Sequence, residues 1–396
     1  MLRSLCTGLN STFRCLRGSM YIYDNQEWPN FRWDEHELAK PLFEIAFLMG
    51  SIIGKINSLD FAFQKEVILA SMTDEIVNSS RIEGVQLNYQ EARSAVAHKF
   101  DIPSVPETEI SRYVEGIVEM MMNVRCNYDA ELTLERLCGW QAALFPGAFN
   151  GRYRIKTGAL RDDKLGPMQI VSSVHGRHKV HFQAPDAKRL PSLMNEFLKW
   201  IARDSGNPLI RAALAHLWFV TIHPFEDGNG RVARAITELM LARADKSPLR
   251  FYSISRQIFR NREEYYLMLE RAEKGDLDIT AWLLWFLNTI RESLQESSKL
   301  VDKTIIRALA WLKYNSVALD DNQKKIVNML MDGFEGKLTS VKWAKICKCS
   351  QATATRSINY LLENNILVRL GDGRSTHYVL KISSQLLFPD KTESGI

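Results

Sequence analysis

His223-Pro224-Phe225-Glu226-Asp227-Gly228-Asn229-Gly230-Arg231-Val232-Ala233-Arg234 brings an imidazole, carboxylates, two loop glycines and two guanidiniums into one short run of chain. Upstream, Leu214, Leu217, Trp218 and Val220 repeat at helical spacing, which predicts a helix that Pro224 ends, with His223 at the mouth of a loop. Gly228 and Gly230 permit positive φ, so successive N–H groups can turn inward as an anion-binding nest at the start of the next helix. Arg231 and Arg234 lie three apart and are expected to share a face of that helix, both forking onto phosphate oxygens. A polyphosphate is the ligand such a loop asks for. Asp227 beside the nest is a hard oxygen ligand suited to Mg²⁺, and His223 can accept a proton near neutral pH. An ordinary tight turn between helices would need none of these groups.

Outward from the loop, apolar residues at helical spacing (Leu42, Ile45, Ala46, Met49, Ile52, Ile53) predict helices over 34–104. One of them, over 61–80, stops before Gly84, and Asn88 followed by Glu91 has the pattern of a capping box. Two or three helices fit 104–145. A β-hairpin is expected around Gly176, pairing 168–174 with 179–183, and helical periodicity returns from Arg189 to about 315. Beyond Asp320 come a helix to Met331, a helix from Thr339, a turn at 347–350, a helix from Gln351 and a hairpin at 371–373, the order of a winged helix-turn-helix. The expected division is an extension at 1–19, an N-terminal helical region at 20–104, a core at 105–300, a helical connector at 301–319 and the winged helix at 320–396, a mostly α fold.

Composition agrees with this. The chain has 396 residues, more than one core usually serves, with 46% hydrophobic and 24% charged residues. No apolar stretch reaches the ~18 residues of a membrane span, so no membrane partner is expected. Six scattered cysteines argue against a disulfide framework and for a reducing, cytoplasmic setting, and Cys347-Lys348-Cys349 lacks a second ligand pair for a metal. Residues 1–19 hold arginines and no acid, a transit-peptide-like composition, although Met20 opens the patterned chain and makes an untranslated or disordered extension the expectation.

The twelve residues 223–234 resemble, without departure, the motif of the Fic family of protein adenylyltransferases, in which His, Pro and Phe precede a Gly-Asn-Gly-Arg loop. The resemblance implies a Fic helical core with a hairpin flap, ATP as substrate and Mg²⁺ as cofactor. By it, His223 deprotonates a protein hydroxyl, Asp227 holds Mg²⁺, Gly228, Asn229 and Gly230 cradle the α- and β-phosphates, and Arg231 and Arg234 bind the β- and γ-phosphates. Attack at the α-phosphorus would release pyrophosphate. The segment with Ser253, Ser255, Asn261, Tyr265, Tyr266 and 278–282 is similar to the family's adenine-holding region, with helix packing an equal explanation for the two tyrosines. The hairpin corresponds to the flap that pins targets by strand addition; its His175, His178 and His181 suggest a metal or simply a polar, exposed hairpin.

Ser79-Ser80-Arg81-Ile82-Glu83-Gly84 resembles the inhibitory motif of autoinhibited Fic proteins, so Ser79, Glu83 and Gly84 are inhibitory candidates. Glu83 is expected to pair bidentately with Arg234 where the γ-phosphate must settle, a solvated glutamate being the alternative. Further implied partners are a protein Ser, Thr or Tyr hydroxyl, the chain itself included, and a second copy of the chain, in a bacterial setting. Two rival functions use the same residues: removal of AMP from a modified protein, with Glu83 positioning water, and an ATP-sensing, DNA-binding transcriptional regulator that transfers nothing, against which an intact His223 stands. The aromatic run Tyr21, Tyr23, Trp28, Phe31 and Trp33 resembles a region attached to some bacterial Fic proteins and is expected to pack on the helical body. In the winged helix, 320–381 carries ten Lys and Arg against six Asp and Glu. Gln351, Thr353, Thr355, Arg356 and Asn359 are candidate contacts to DNA, with protein an equal alternative.

Overall fold

A computed structural model describes residues 2–5, 21–57, 61–102, 108–151, 153–174, 177–203, 205–247, 249–332, 334 and 336–381, and divides into two compact units, Met1–Ser298 and Lys299–Ile396. The first unit holds α1 (Glu35–Asn57), α2 (Phe61–Ile82), α3 (Tyr89–Lys99), α4 (Arg112–Cys126), α5 (Leu134–Ala143), α6 (Leu190–Ile201), α7 (Pro208–Ile222), α8 (Asn229–Asp245), α9 (Ile254–Arg260), α10 (Arg262–Lys274) and the start of α11 (Thr280–Tyr314). Its strands are short: β1 (Leu2–Leu5), β2 (Phe149–Asn150), β3 (Tyr153–Arg154), β4 (Gln169–Val174) and β5 (Arg177–Gln183). Among the described residues no helix is long and apolar enough to cross a membrane.

The core is built on α7 and α8. Every residue of α7 from Ile210 to Ile222 is buried, as a helix apolar all round must be, and α8 is buried from Arg231 to Ala242. Polar groups carried inside α8 are matched by neighbours: Glu238 lies 3.0 Å from Arg125 Nη2 on α4 and 3.5 Å from Arg250 Nε. α2 is bound to α9 through the buried Glu75 carboxylate, which accepts from Ser253 Oγ at 2.7 Å, from Ser255 N–H at 3.0 Å and from Ser255 Oγ. The last turn of α2 thereby lies beside α8.

Asn88 caps α3 as expected, accepting from Gln90 and Glu91 N–H. The reciprocal half of the capping box is not made. Glu91 reaches Ser111 N–H and Oγ instead, at 2.9 and 2.6 Å, because the start of α4 offers two donors to one carboxylate oxygen. The aromatic run packs on the body: Tyr21 and Tyr23 meet Phe182 edge-on, and Trp28 and Phe31 meet Trp218. Arg32 joins Leu277 O and Ile279 N–H by backbone hydrogen bonds at 2.8 and 2.9 Å.

β4 and β5 form the expected hairpin, antiparallel, with β1 on the other edge of β4 in the order β1-β4-β5. The register shifts between Ile170, opposite Phe182, and Val171, opposite Val180, so His181 is the extra residue of a bulge. Within the expected 1–19 extension Leu2–Leu5 is thus a strand, while residues 1 and 6–20 lie outside the described residues.

The second unit contains α12 (Asp321–Asp332), α13 (Ser340–Cys347), α14 (Gln351–Glu363) and the hairpin β6 (Leu367–Leu370) and β7 (His377–Leu380). Trp343, Ile358, Leu361 and Ile366 form its core, Thr339 caps α13 and Ser350 caps α14. The helices and hairpin fall in the order read from the sequence.

Candidate active site

His223 closes α7 in the left-handed region at φ 51°, its N–H still bonded to Phe219 O. Arg161 holds the turn that follows, donating from Nε to His223 O at 2.8 Å and from its backbone N–H to Pro224 O at 2.9 Å. The ring Nδ1 donates to Val220 O at 3.2 Å, which leaves Nε2 as the lone-pair nitrogen, buried and without a partner. Burial, reinforced by the positive charge of Arg161, pushes the imidazole down to about 4. At neutral pH His223 is therefore an unprotonated ring whose free nitrogen can take a proton.

The loop beyond it closes on itself. Asn229 accepts from Phe225 N–H at 2.9 Å and donates to Phe225 O at 2.7 Å, so its side chain staples the loop and leaves only its backbone N–H for a ligand. Gly228 adopts φ +88°, as the nest reading requires. Gly230 does not need positive φ: it lies inside α8, and a Cβ there would stand 2.2 Å from Glu83 Oε1. Its absent side chain is clearance for that carboxylate. Asp227 accepts from Gly228 N–H and from Asn150 Nδ2, with its side chain 26% exposed at the rim.

The two arginines do not converge. Arg231 donates to Tyr113 OH at 2.8 Å and lies 4.7 Å over the Phe145 ring, whereas Arg234 turns to α2. Arg234 Nε donates to Ser79 Oγ at 2.9 Å, and Nη2 to Ser79 O and Glu83 Oε1, each at 2.8 Å. Buried guanidiniums take partners from whichever helix packs against them, α4 for one and α2 for the other. The Glu83 pairing is single rather than bidentate, since Ser79 occupies the Nε edge. Partial burial alone would raise the Glu83 carboxyl, but Arg234 outweighs it and holds it below the usual range. Gly84 leaves α2 at φ +83°.

His223, Asp227, Gly228, Asn229, Gly230 and Glu83 line one cavity of about 450 Å³. Its other wall is α10 and the hairpin. Tyr265 and Tyr266 both face it, though Tyr265 OH also meets His216 Nε2 at 2.9 Å and Tyr266 OH donates to Ile82 O at 3.3 Å, so packing and ligand-facing roles coincide. Burial pushes Tyr266 up to about 12 and the Glu273 carboxyl well above its ordinary value, and Glu273 Oε1 has no hydrogen-bond partner. Ser172, His181 and Glu270 also line it. Of the three hairpin histidines, His175 lies outside the described residues, nothing is described of the His178 side chain, and His181 is bonded to Ser172 and Glu270. Among the described residues no cluster of three or more His, Cys, Asp or Glu could hold a metal. Mg²⁺ beside phosphates needs only one or two protein carboxylates, so the Asp227 site fits it.

Tyr113, Asn150, Ser172, Glu270 and Glu273 escaped the sequence reading. Only the helical spacing of Glu270 and Glu273 with Tyr266 signalled a shared face.

Residues 131–241 match the family described as Fic/DOC, so the chain carries a Fic/DOC-family domain. Residues 21–102 match a "Domain of unknown function (DUF4172)". Among curated relatives, a "Protein adenylyltransferase Fic" from Nematostella vectensis is 40% identical over 222 residues, 54% of this chain and 46% of its own length. One from Drosophila mojavensis is 38% identical over 96 residues, 24% of this chain and 18% of its own. The chain thus spans less than half the length of these relatives. A solved Fic family protein from Desulfovibrio desulfuricans G20 shares the fold at TM-score 0.51 and 20% identity, covering 86% of this chain and 94% of that one.

Proposed function

We propose that the chain transfers AMP from ATP to a protein hydroxyl. The observation that carries this is the unpartnered Nε2 of His223 facing a cavity shared with the N-terminus of α8. The target O–H proton passes to Nε2 as the oxygen bonds to the α-phosphorus, and the bond from that phosphorus to the bridging oxygen breaks to release pyrophosphate. The backbone N–H groups of Asn229 and Gly230 receive the phosphates, and Gly228 N–H joins them when Asp227 turns to the metal. Asp227 would hold Mg²⁺, which supplies charge neutralisation on the phosphate oxygens. The curated relatives' printed name, adenylyltransferase, supports the same chemistry.

Glu83 acts as a brake on this reaction. Its Oε1 stands over Gly230 and holds Arg234, so a γ-phosphate and the carboxylate compete for one place. With labelled ATP, Glu83→Gly should raise AMP incorporation at least tenfold, and equal incorporation by both forms discards the brake. His223→Ala should slow pyrophosphate release by roughly 100-fold or more while ATP still binds; an unchanged rate discards the base.

A reverse reaction, removal of AMP from a modified protein, is favoured by one observation, the Glu83 carboxylate facing the cavity that His223 lines. Incubation with an AMP-modified protein and Mg²⁺ separates the two directions. An ATP-sensing regulator would leave His223 without a task. For the second unit, we read α12 to β7 as a winged helix that binds DNA or protein, because Gln351, Thr353, Thr355, Arg356 and Asn359 are all exposed on α14. A homodimer and a cytoplasmic setting complete the proposal.

A further inference from the structure

Ser172 Oγ lies 2.7 Å from His181 Nε2, and His181 Nδ1 lies 2.8 Å from Glu270 Oε2. Partial burial would raise the Glu270 carboxyl, but Lys274, 2.6 Å from its other oxygen, and His181 together hold it below the usual range. An ionised carboxylate only accepts hydrogen bonds, so His181 Nδ1 carries the proton. In the neutral ring Nε2 is then an acceptor, and the Ser172 hydroxyl must be the donor to it. Acid, imidazole and hydroxyl in that order are the arrangement that makes a serine oxygen nucleophilic.

The fold builds this chain of bonds deliberately. Ile170 and Ser172, two apart on β4, both line the cavity, as alternation along a strand dictates. His181 is the bulged residue of β5, and a bulge re-aims a side chain. Glu270 reaches the pair from α10. All three line the cavity that His223 and Gly228 share, yet the transfer step at His223 uses none of them.

We propose that Ser172 is itself an acceptor of AMP, a self-modification site with His181 as its base and Glu270 as the positioning residue; this rests on the adenylyl-transfer reading above. Ser172 Oγ bonds to the α-phosphorus of a nucleoside triphosphate while its proton moves to His181 Nε2. The bond to the bridging oxygen breaks, pyrophosphate leaves with the electron pair, and the imidazolium is held by Glu270. The product is a phosphodiester on the hairpin that breaks the Ser172–His181 bond and occupies the cavity. One AMP per chain is the limit.

The test incubates the full Glu83→Gly chain with ATP and Mg²⁺ and locates the adduct by tandem mass spectrometry, with pyrophosphate measured alongside. The expected result is an adduct on Ser172 that saturates at one per chain, disappears in Ser172→Ala and persists in Ser173→Ala. His181→Gln and Glu270→Gln should slow its formation at least tenfold, in the maximal rate rather than in the ATP concentration for half-maximal rate, which a merely structural latch would not do. An adduct on Ser172 indifferent to both variants overturns the assignment of the base. Adducts only on other residues overturn the self-modification site and leave adenylyl transfer standing. Neither adduct nor pyrophosphate, with ATP bound, overturns both.

Discussion

Helices α8 and α14 carry similar residue types under opposite solvation. On α8, Arg231 and Arg234 are 5% and 2% exposed and each is committed to a helix packed against it. On α14, Arg356 and its polar neighbours face water while Ala354, Ile358 and Leu361 are buried. A buried guanidinium is expensive without a partner, and on α8 Arg231 Nη1 and Arg234 Nε and Nη2 are paired while Arg231 Nε and Arg234 Nη1 are buried without one. An exposed row has no buried partner to surrender. The first arrangement is a buried network of paired charges and the second an open polar face.

The sharpest way to break this contrast is Glu238→Ala, which deprives the buried guanidiniums of Arg125 and Arg250 of the carboxylate they share. About 3–5 kcal/mol of unfolding free energy should be lost in denaturant titrations. A loss below about 1 kcal/mol would mean that the interior of α8 tolerates unpaired charge.

Acid should reach the same interior. His223 is held down to about 4 and His216 down to about 3, chiefly by burial. Both folded values lie below the unfolded value near 6.5, so the native state excludes protons that the unfolded chain binds. Stability is thus complete above roughly pH 6.5 and falls as pH drops towards 4, by about 1.4 kcal/mol per unit for each ring once the unfolded imidazoles are charged. Buried Glu75 and Glu273, held above their ordinary values, act in the opposite sense, so melting temperature against pH is compared between the unaltered chain and His216→Gln, and equal slopes from pH 7 to 5 contradict it. Gly230→Ala is the next test: its Cβ must displace Glu83 from Arg234, at about 1 kcal/mol. That cost should vanish in a Glu83→Ala background, and strict additivity would show that the two do not touch. Smallest is Arg356→Ala, within about 0.5 kcal/mol in stability, with its effect confined to salt-sensitive retention on DNA. No retention by the unaltered chain would remove DNA as the partner.

The loop 223–234 was legible because its chemistry is contiguous: helix end, positive φ and helix start follow one another along the chain. The hairpin and the limits of α2, α13 and α14 were legible for the same local reason, since period and turn residues need no distant partner. What the sequence did not disclose are pairings across space. Arg231 meets Tyr113 from α4 and Asp227 meets Asn150, contacts that periodicity cannot encode. Even Gly230 was misread, because clearance for a carboxylate from α2 leaves the same letter as a need for positive φ. Glu91 shows the converse, a local rule outbid by Ser111.

Glu75 sits on α2 about two turns before Glu83, which follows the helix end at Ile82, and is buried against Ser253 and Ser255, with Asp74 bound to Arg256 at 2.6 Å beside it. The shaft of that helix is therefore rooted in the body of the domain. Under the brake proposed above, release of Arg234 would fall to the terminal turn, where backbone carbonyls already lack helical partners. Such a trigger needs only a few residues to move, and a partner that clasps the tip near Gly84 could work it without prising the domain apart.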